Sequence, residues 1–138
     1  MRRILLDTNI VIDLLASREP YYAEAAAIFS LADMKTIKLS VSALSLANTH
    51  YILSKFVPEQ EARKALRNFK VLVTILPLDD KIVDLALNAD FKDFEDAIQY
   101  FTAIENNQDM IVTRNQSDFK KSKIPIMTAV EFIKSIVL

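Results

Sequence analysis

Three acids stand where acids are costly. Asp7 ends the apolar run of "RRILLDTN". Asp96 lies in "DFEDAIQY", directly before Ala97. Asp118 lies in "IVTRNQSDF", just past a second apolar run. A charge at the tip of a buried segment is expensive unless something pairs with it. Carboxylates brought together repel and partly protonate, and a cation relieves that repulsion. The chain has no cysteine and one histidine, His50. The cation implied is therefore a hard divalent ion, Mg²⁺ or Mn²⁺, held by oxygen. Carboxylate-held ions of this kind suit phosphodiester hydrolysis.

Positioning these acids is the task of the surrounding elements. Residues 3–6, 36–42, 71–77, 110–113 and 124–128 read as strands. Residues 8–17, 19–34, 42–56, 58–69, 79–89, 93–107 and 129–138 read as helices, with Thr8 a candidate cap and Pro20 suited to a first helical position. Strands alternating with helices predict βαβ units and a mostly parallel sheet. In such a sheet ligands bind at the carboxyl ends of the strands. Asp7 falls at that edge, Asp118 in the loop leaving the strand 110–113, and Asp93, Glu95 and Asp96 in the first turn of the helix that feeds it.

Helix geometry sorts the last three. Asp93 and Asp96 lie about 60° apart on one face and Glu95 points elsewhere. Asp96 borders the apolar stripe of Ala97, Ile98, Phe101 and Ile104 and is the acid expected to face inward. Taken singly, Asp7, Asp93 and Asp118 each have a plainer reading as helix or turn caps. Asp79 and Asp80 read as caps, and Asp13, Asp33, Asp84 and Asp90 as solvated surface. The functional reading rests on three segments reaching one rim.

Composition bounds the alternatives. The chain has 138 residues, half of them hydrophobic (51%) and a quarter charged (25%), with net charge −1. That fits one domain spanning 1–138 and weighs against a globally basic nucleic-acid binder, while leaving room for a local basic patch. No apolar run approaches the roughly 20 residues of a membrane span, and a cytoplasmic location is expected. The chain has no glycine at all. A P-loop or a G-x-G-x-x-G dinucleotide turn is thereby excluded, and Asn, Asp, Ser and Pro must build the turns. A phosphoacceptor role for Asp7 ranks low, because Asn9 stands where dehalogenase-like enzymes need a second acid.

"ILLDTNIVIDLL", "DFEDAIQY" and "IVTRNQSDF" together resemble the PIN domain, in particular the bacterial branch with a DFEDA-x-Q helix. The resemblance runs from about residue 3 to "IPIMTAVEF". It implies a three-layer α/β/α fold with a five-stranded parallel sheet, and a Mg²⁺- or Mn²⁺-dependent ribonuclease. Asp7, Asp96 and Asp118 match the family's acids, with Glu95 or Asp93 as further helpers. It also implies an RNA substrate, a VapC-type toxin role with an antitoxin partner, and a homodimer. One departure is clear: Asn48 stands where PIN domains usually carry a glutamate. Asn can orient a ligand but brings no charge. The alternative function is therefore a catalytically weak module that binds RNA or a protein.

Lesser candidates share the edge. Thr8, Asn9, Thr113 and Asn115 can orient carboxylates or a phosphate, or simply serve turns and caps. Arg114, Lys120, Lys121 and Lys123 flank Asp118 and can meet an RNA backbone. Arg63, Arg67 and Lys70 form a stripe that reads as a solvated face, while His50, Tyr21 and Tyr22 read as packing residues. Phe132, Ile133, Ile136, Val137 and Leu138 make an apolar tail that suits either a dimer contact or the core.

Overall fold

A computed structural model of the protein describes residues 1–136. Five strands form one parallel sheet: β1 (Arg2–Leu6), β2 (Ile37–Ser42), β3 (Val73–Leu76), β4 (Met110–Val112) and β5 (Ile126–Met127). Their spatial order is β3-β2-β1-β4-β5. The helices are α1 (Thr8–Leu15), α2 (Tyr22–Asp33), α3 (Ala43–Leu53), α4 (Glu59–Lys70), α5 (Asp80–Leu87), α6 (Phe94–Glu105) and α7 (Ala129–Ile136), with a 3₁₀ turn at Gln116–Phe119. The three-layer α/β/α arrangement expected from the sequence is thus present.

β1 is the central strand, buried on both faces, which is why it reads as an unbroken apolar run. Ile4 and Leu6 pack with Ile10 and Val11 of α1, Ala25 and Ile28 of α2, and Phe132 of α7. Leu5 points the other way, onto Tyr100 and Ala103 of α6 and Phe119. In β4, Ile111 pairs in register with Leu5 and shares its face, while Val112 lies beside Leu6. The register carries one residue further: the Asp7 amide donates to the Val112 carbonyl at 3.0 Å. Asp7 and Thr113 therefore leave the sheet side by side.

With no glycine, three helices end on other residues in the left-handed region: Ser17, Lys35 and Asn107, at φ 50°, 59° and 54°. Each closes its helix with the paired carbonyl bonds of a Schellman turn. Lys35 donates to Ala32 and Thr36 to Leu31, at 3.0 and 2.9 Å, and the ends of α1 and α6 repeat the pattern. Asn tolerates this backbone best, whereas for Lys35 the closed turn must offset the steric cost.

Several local expectations change. The cap of α1 is Asp7 rather than Thr8, since its carboxylate accepts from the Thr8 amide at 2.8 Å. Pro20 lies in the turn before α2, joined to Glu19 by a cis peptide, and not at a first helical position. Asp79 caps α5, while Asp80 is simply its first residue. Asp13 is not a solvated surface acid: it is fully buried between two arginines. In the tail, Phe132 is buried and Ile133 and Ile136 pack on the core; Val137 and Leu138 lie outside the described residues.

Candidate metal and phosphodiester site

The carboxyl edge of the sheet opens into a cavity of about 270 Å³ whose polar lining is Asp7, Thr8, Asn9, Arg18, Asn48, Glu95, Asp96, Gln99 and Asn115. Asp7 is delivered by β1 and held by α1, whose cap it forms. It is 7% exposed and both its oxygens are engaged. Oδ1 accepts from the Thr8 amide at 2.8 Å and from Gln99 Nε2 at 3.0 Å. Oδ2 accepts from the Thr113 hydroxyl at 2.8 Å. Three donors from three segments fix this carboxylate, and none of them is a cation.

Asp96 enters the same cavity from the first turn of α6. That helix begins at the carboxyl edge because Asp93 caps it, accepting from the Asp96 amide at 3.1 Å. Asp96 is half-buried and Glu95 exposed, as the helical geometry predicts, whereas Asp93, expected on the same face as Asp96, is exposed because it is the cap and stands outside the helix. Burial pushes the Asp96 carboxyl up to about 7, and Asp93, Asp7, Asp118 and Glu95 each push it the same way. Four carboxylates thus act on one.

Asp118 sits on the exposed 3₁₀ turn, whose Phe119 is buried and packs edge-on against Phe91 at 6.4 Å. Asp118 and Asp96 line a second cavity of about 270 Å³, together with Asp93, Lys120 and Lys121. Lys121 pairs with Asp90. Asp96 is common to both cavities and stands between Asp7 and Asp118. Among the described residues, however, no three acidic or histidine side chains gather tightly enough to hold one ion as they stand.

The donor chemistry nevertheless fits a hard divalent cation. The ligand atoms that Asp7, Asp96 and Asp118 offer are all carboxylate oxygens, although Arg18 lines the first cavity and Lys92, Lys120 and Lys121 line the second. Among the described residues no lysine, arginine or histidine pairs with Asp7, Asp96 or Asp118. The three acids thus have no direct ionic partner, and a bound hard cation would offset their mutual repulsion.

The remaining predicted residues fall into distinct places. Asn9 accepts from the Arg114 amide at 3.3 Å, and its Nδ2 donates to the Thr113 hydroxyl oxygen at 3.3 Å. The Asn115 amide donates to that same oxygen at 3.0 Å. Thr113 is therefore a junction between β1, β4 and the loop carrying Asp118. Asn48 faces the cavity from α3 without charge. Arg114 does not reach toward the acids: it stacks on Tyr21, 4.0 Å from the ring centre, and pairs with Asp13. Lys120 and Lys121 lie by Asp118, and the Lys123 amide donates to the Tyr100 hydroxyl at 3.1 Å. His50 lies 3.7 Å from Glu59, away from the cavity.

Sequence reasoning missed Gln99, Ser45 and Asp13. Gln99 and Ser45 are buried, and Gln99 Nε2 donates to Ser45 Oγ at 2.6 Å. A signal for Gln99 existed, because Asp93, Asp96 and Gln99 recur at steps of three along one helix face. Ser45 likewise precedes Asn48 by three.

A five-stranded parallel α/β/α sheet that brings acids from three separate segments to its carboxyl edge defines the class of the protein. The chain belongs to the PIN domain family, whose model matches residues 3–117, and within it the chain is VapC-like. It is 25% identical to Ribonuclease VapC1 of Aquifex aeolicus (strain VF5), over 94% of this chain and 92% of the relative. Among solved structures it resembles a toxin–antitoxin complex from Klebsiella pneumoniae, with a TM-score of 0.67 and 26% identity over 91% of this chain and 97% of that one. VapBC-1 from nontypeable Haemophilus influenzae shares the fold, with a TM-score of 0.68 and 16% identity over 93% and 98% of the two chains.

Proposed function

We propose that the protein is a Mg²⁺- or Mn²⁺-dependent endoribonuclease and the toxin of a VapC-type toxin–antitoxin pair. The observation that carries this reading is Asp96: a half-buried acid, without a cationic partner, raised to about 7 among four other carboxylates. Family membership and the likeness to Ribonuclease VapC1 support the reaction class. The likeness to toxin–antitoxin complexes supports an antitoxin partner. An RNA substrate and a cysteine-free chain both fit a cytoplasmic location.

In this reading Asp7, Asp96 and Asp118 hold the metal, with Glu95 at the rim. When bound, the ion lowers the pKa of an attacking water and offsets charge on the phosphate. The chain's own residues do the positioning. Gln99, Thr113 and the Thr8 amide keep Asp7 aimed. Thr113, Asn9 and Asn115 tie the loop bearing Asp118 to the end of β1. Lys120 and Lys121 stand where an RNA backbone would pass. For a homodimer, exposed Tyr51 of α3 and Phe56 in the turn after it offer apolar groups to a second copy; sedimentation of the purified protein tests this.

A second reading is a weakly catalytic module that binds RNA or a protein, favoured by Asn48 and by the loose spacing of the three acids. Incubation with a structured RNA pool in Mn²⁺, Mg²⁺ or EDTA, with Asp96→Asn alongside, separates the two. The nuclease reading expects cleavage that needs metal and disappears in the variant. RNA retention without cleavage in any metal supports the binding module.

A further inference from the structure

We infer that the Thr8 hydroxyl is a donor aimed at the substrate, set to meet a non-bridging oxygen of the phosphodiester, and that Gln99 and Ser45 fix its direction. The inference takes its ligand from the nuclease reading; its geometry comes from counting hydrogen bonds.

Ser45 is fully buried. Its oxygen has two lone pairs and one proton. Ser42 donates its hydroxyl to Ser45 Oγ at 3.2 Å, and Gln99 Nε2 donates at 2.6 Å. Both lone pairs are then used. Thr8 Oγ1 lies 2.7 Å from Ser45 Oγ, close enough for a bond in either direction. With Ser45 already accepting twice, the proton in that contact must be the one on Ser45. Thr8 is the acceptor.

Gln99 locks this polarity. Its amide carries two N–H donors. The contacts at 2.6 Å to Ser45 and 3.0 Å to Asp7 take both, leaving the 3.4 Å approach to Thr8 as the weakest of the three. A flipped amide would turn its oxygen onto the Asp7 carboxylate, where two acceptors would face each other. So the Asp7 carboxylate orients Gln99, Gln99 fills Ser45, and Ser45 turns its proton to Thr8.

The Thr8 proton is left over. Among the described residues it has no acceptor. Thr8 is half-buried and lines the cavity shared by Asp7 and Asp96. A neutral donor beside a row of carboxylates is suited to a phosphate oxygen drawn there. A polar relay running from α6 through α3 thus ends in one substrate-facing O–H, at the residue next to Asp7.

The test compares wild type, Thr8→Val and Thr8→Ser on an RNA oligonucleotide and on its two phosphorothioate diastereomers at the cleaved bond. Sulfur is a poor acceptor. For wild type, one diastereomer should be cleaved slowly in a way that a thiophilic ion does not restore. Thr8→Val should lose about tenfold to hundredfold in kcat/KM, the range of one hydrogen bond to a charged group, and should lose that sulfur sensitivity. Thr8→Ser should retain both rate and sensitivity. Binding of the oligonucleotide in an Asp96→Asn background should weaken with Thr8→Val and hold with Thr8→Ser. Melting curves of each variant separate these effects from unfolding. If wild type cleaves RNA while Thr8→Val keeps both its rate and its sulfur sensitivity, the inference falls and the nuclease reading stands. If wild type neither cleaves nor binds RNA, both fall together.

Discussion

Arg114 clamps Asp13 with two bonds, Nε to Oδ2 at 2.9 Å and Nη2 to Oδ1 at 3.2 Å. Asp13 is fully buried one turn and a half into α1, and Arg18 reaches it from the other side at 3.1 Å. The pair ties α1, which carries the Asp7 cap at its start, to the loop that carries Asp118. Its role is therefore to hold two of the three acids in fixed relation.

Breaking this clamp should cost stability first. Arg114→Met leaves Asp13 with Arg18 alone. A loss of roughly 2–3 kcal/mol is expected, below the usual 3–5 for a broken buried pair because Arg18 remains. Urea unfolding measures it. A stability within half a kilocalorie of wild type would show that the clamp is dispensable.

Acid–base linkage at Asp96 gives a pH dependence with a definite sign. The unfolded carboxyl titrates near 3.8 and the folded one at about 7. Below 3.8 both states hold the proton and Asp96 contributes nothing. Between 3.8 and 7 only the folded state holds it, so stability falls as pH rises. Above 7 the loss is complete and constant. In EDTA, wild type should therefore melt lower at pH 8 than at pH 5, and Asp96→Asn should flatten that difference. Mn²⁺ should raise the pH 8 melting temperature of wild type more than that of the variant. A variant with an unchanged pH profile would count against a strained Asp96.

Removing a brace should weaken the metal rather than the fold's outline. Gln99→Leu deletes the amide that holds Asp7 Oδ1. Losing such a supporting partner typically costs 10–100-fold in metal affinity. Mn²⁺ titration by calorimetry should give about that loss with the circular dichroism spectrum kept. Equal affinity would mean that Thr8 and Thr113 hold Asp7 without help.

Adding a charge should do the reverse. Asn48 faces the cavity from α3, and Asn48→Glu supplies the acid that PIN domains usually carry there. Mn²⁺ affinity should rise, since affinity for hard cations grows with ligand charge. In EDTA the variant should be less stable at pH 8 than wild type, because one more carboxylate repels Asp96. Unchanged affinity and unchanged stability would place residue 48 outside the metal's reach.

The elements were legible because their periods were. A short unbroken apolar run such as Ile4–Leu6 can be satisfied only where both faces are covered, so the central strand announced itself. The inward turn of Asp96 followed from its place beside Ala97, whereas Asp93 read equally as cap or ligand, and the structure makes it the cap of α6. Asp13 was misread because sequence alone gives no cost for its burial. On α1 it looks like any polar residue facing water, and its partner Arg114 lies 101 residues away. Ser45 was passed over because its buried partners come from distant segments, and Gln99, though in step with Asp93 and Asp96, because a neutral amide suggests no ligand by itself.

What the sequence determined by itself was the chemistry on offer: carboxylates at strand ends and helix starts, no glycine for phosphate loops, no cysteine for soft metals. Those follow from residue identity and short-range period. What only the tertiary structure decided was how those groups are used. The parallel register set Asp7 beside Thr113, and α6 laid Gln99 against Asp7 across 92 residues. The direction of each hydrogen bond between them depends on counting every lone pair within reach. That count is a property of contacts between distant segments, and no local pattern in the chain encodes it.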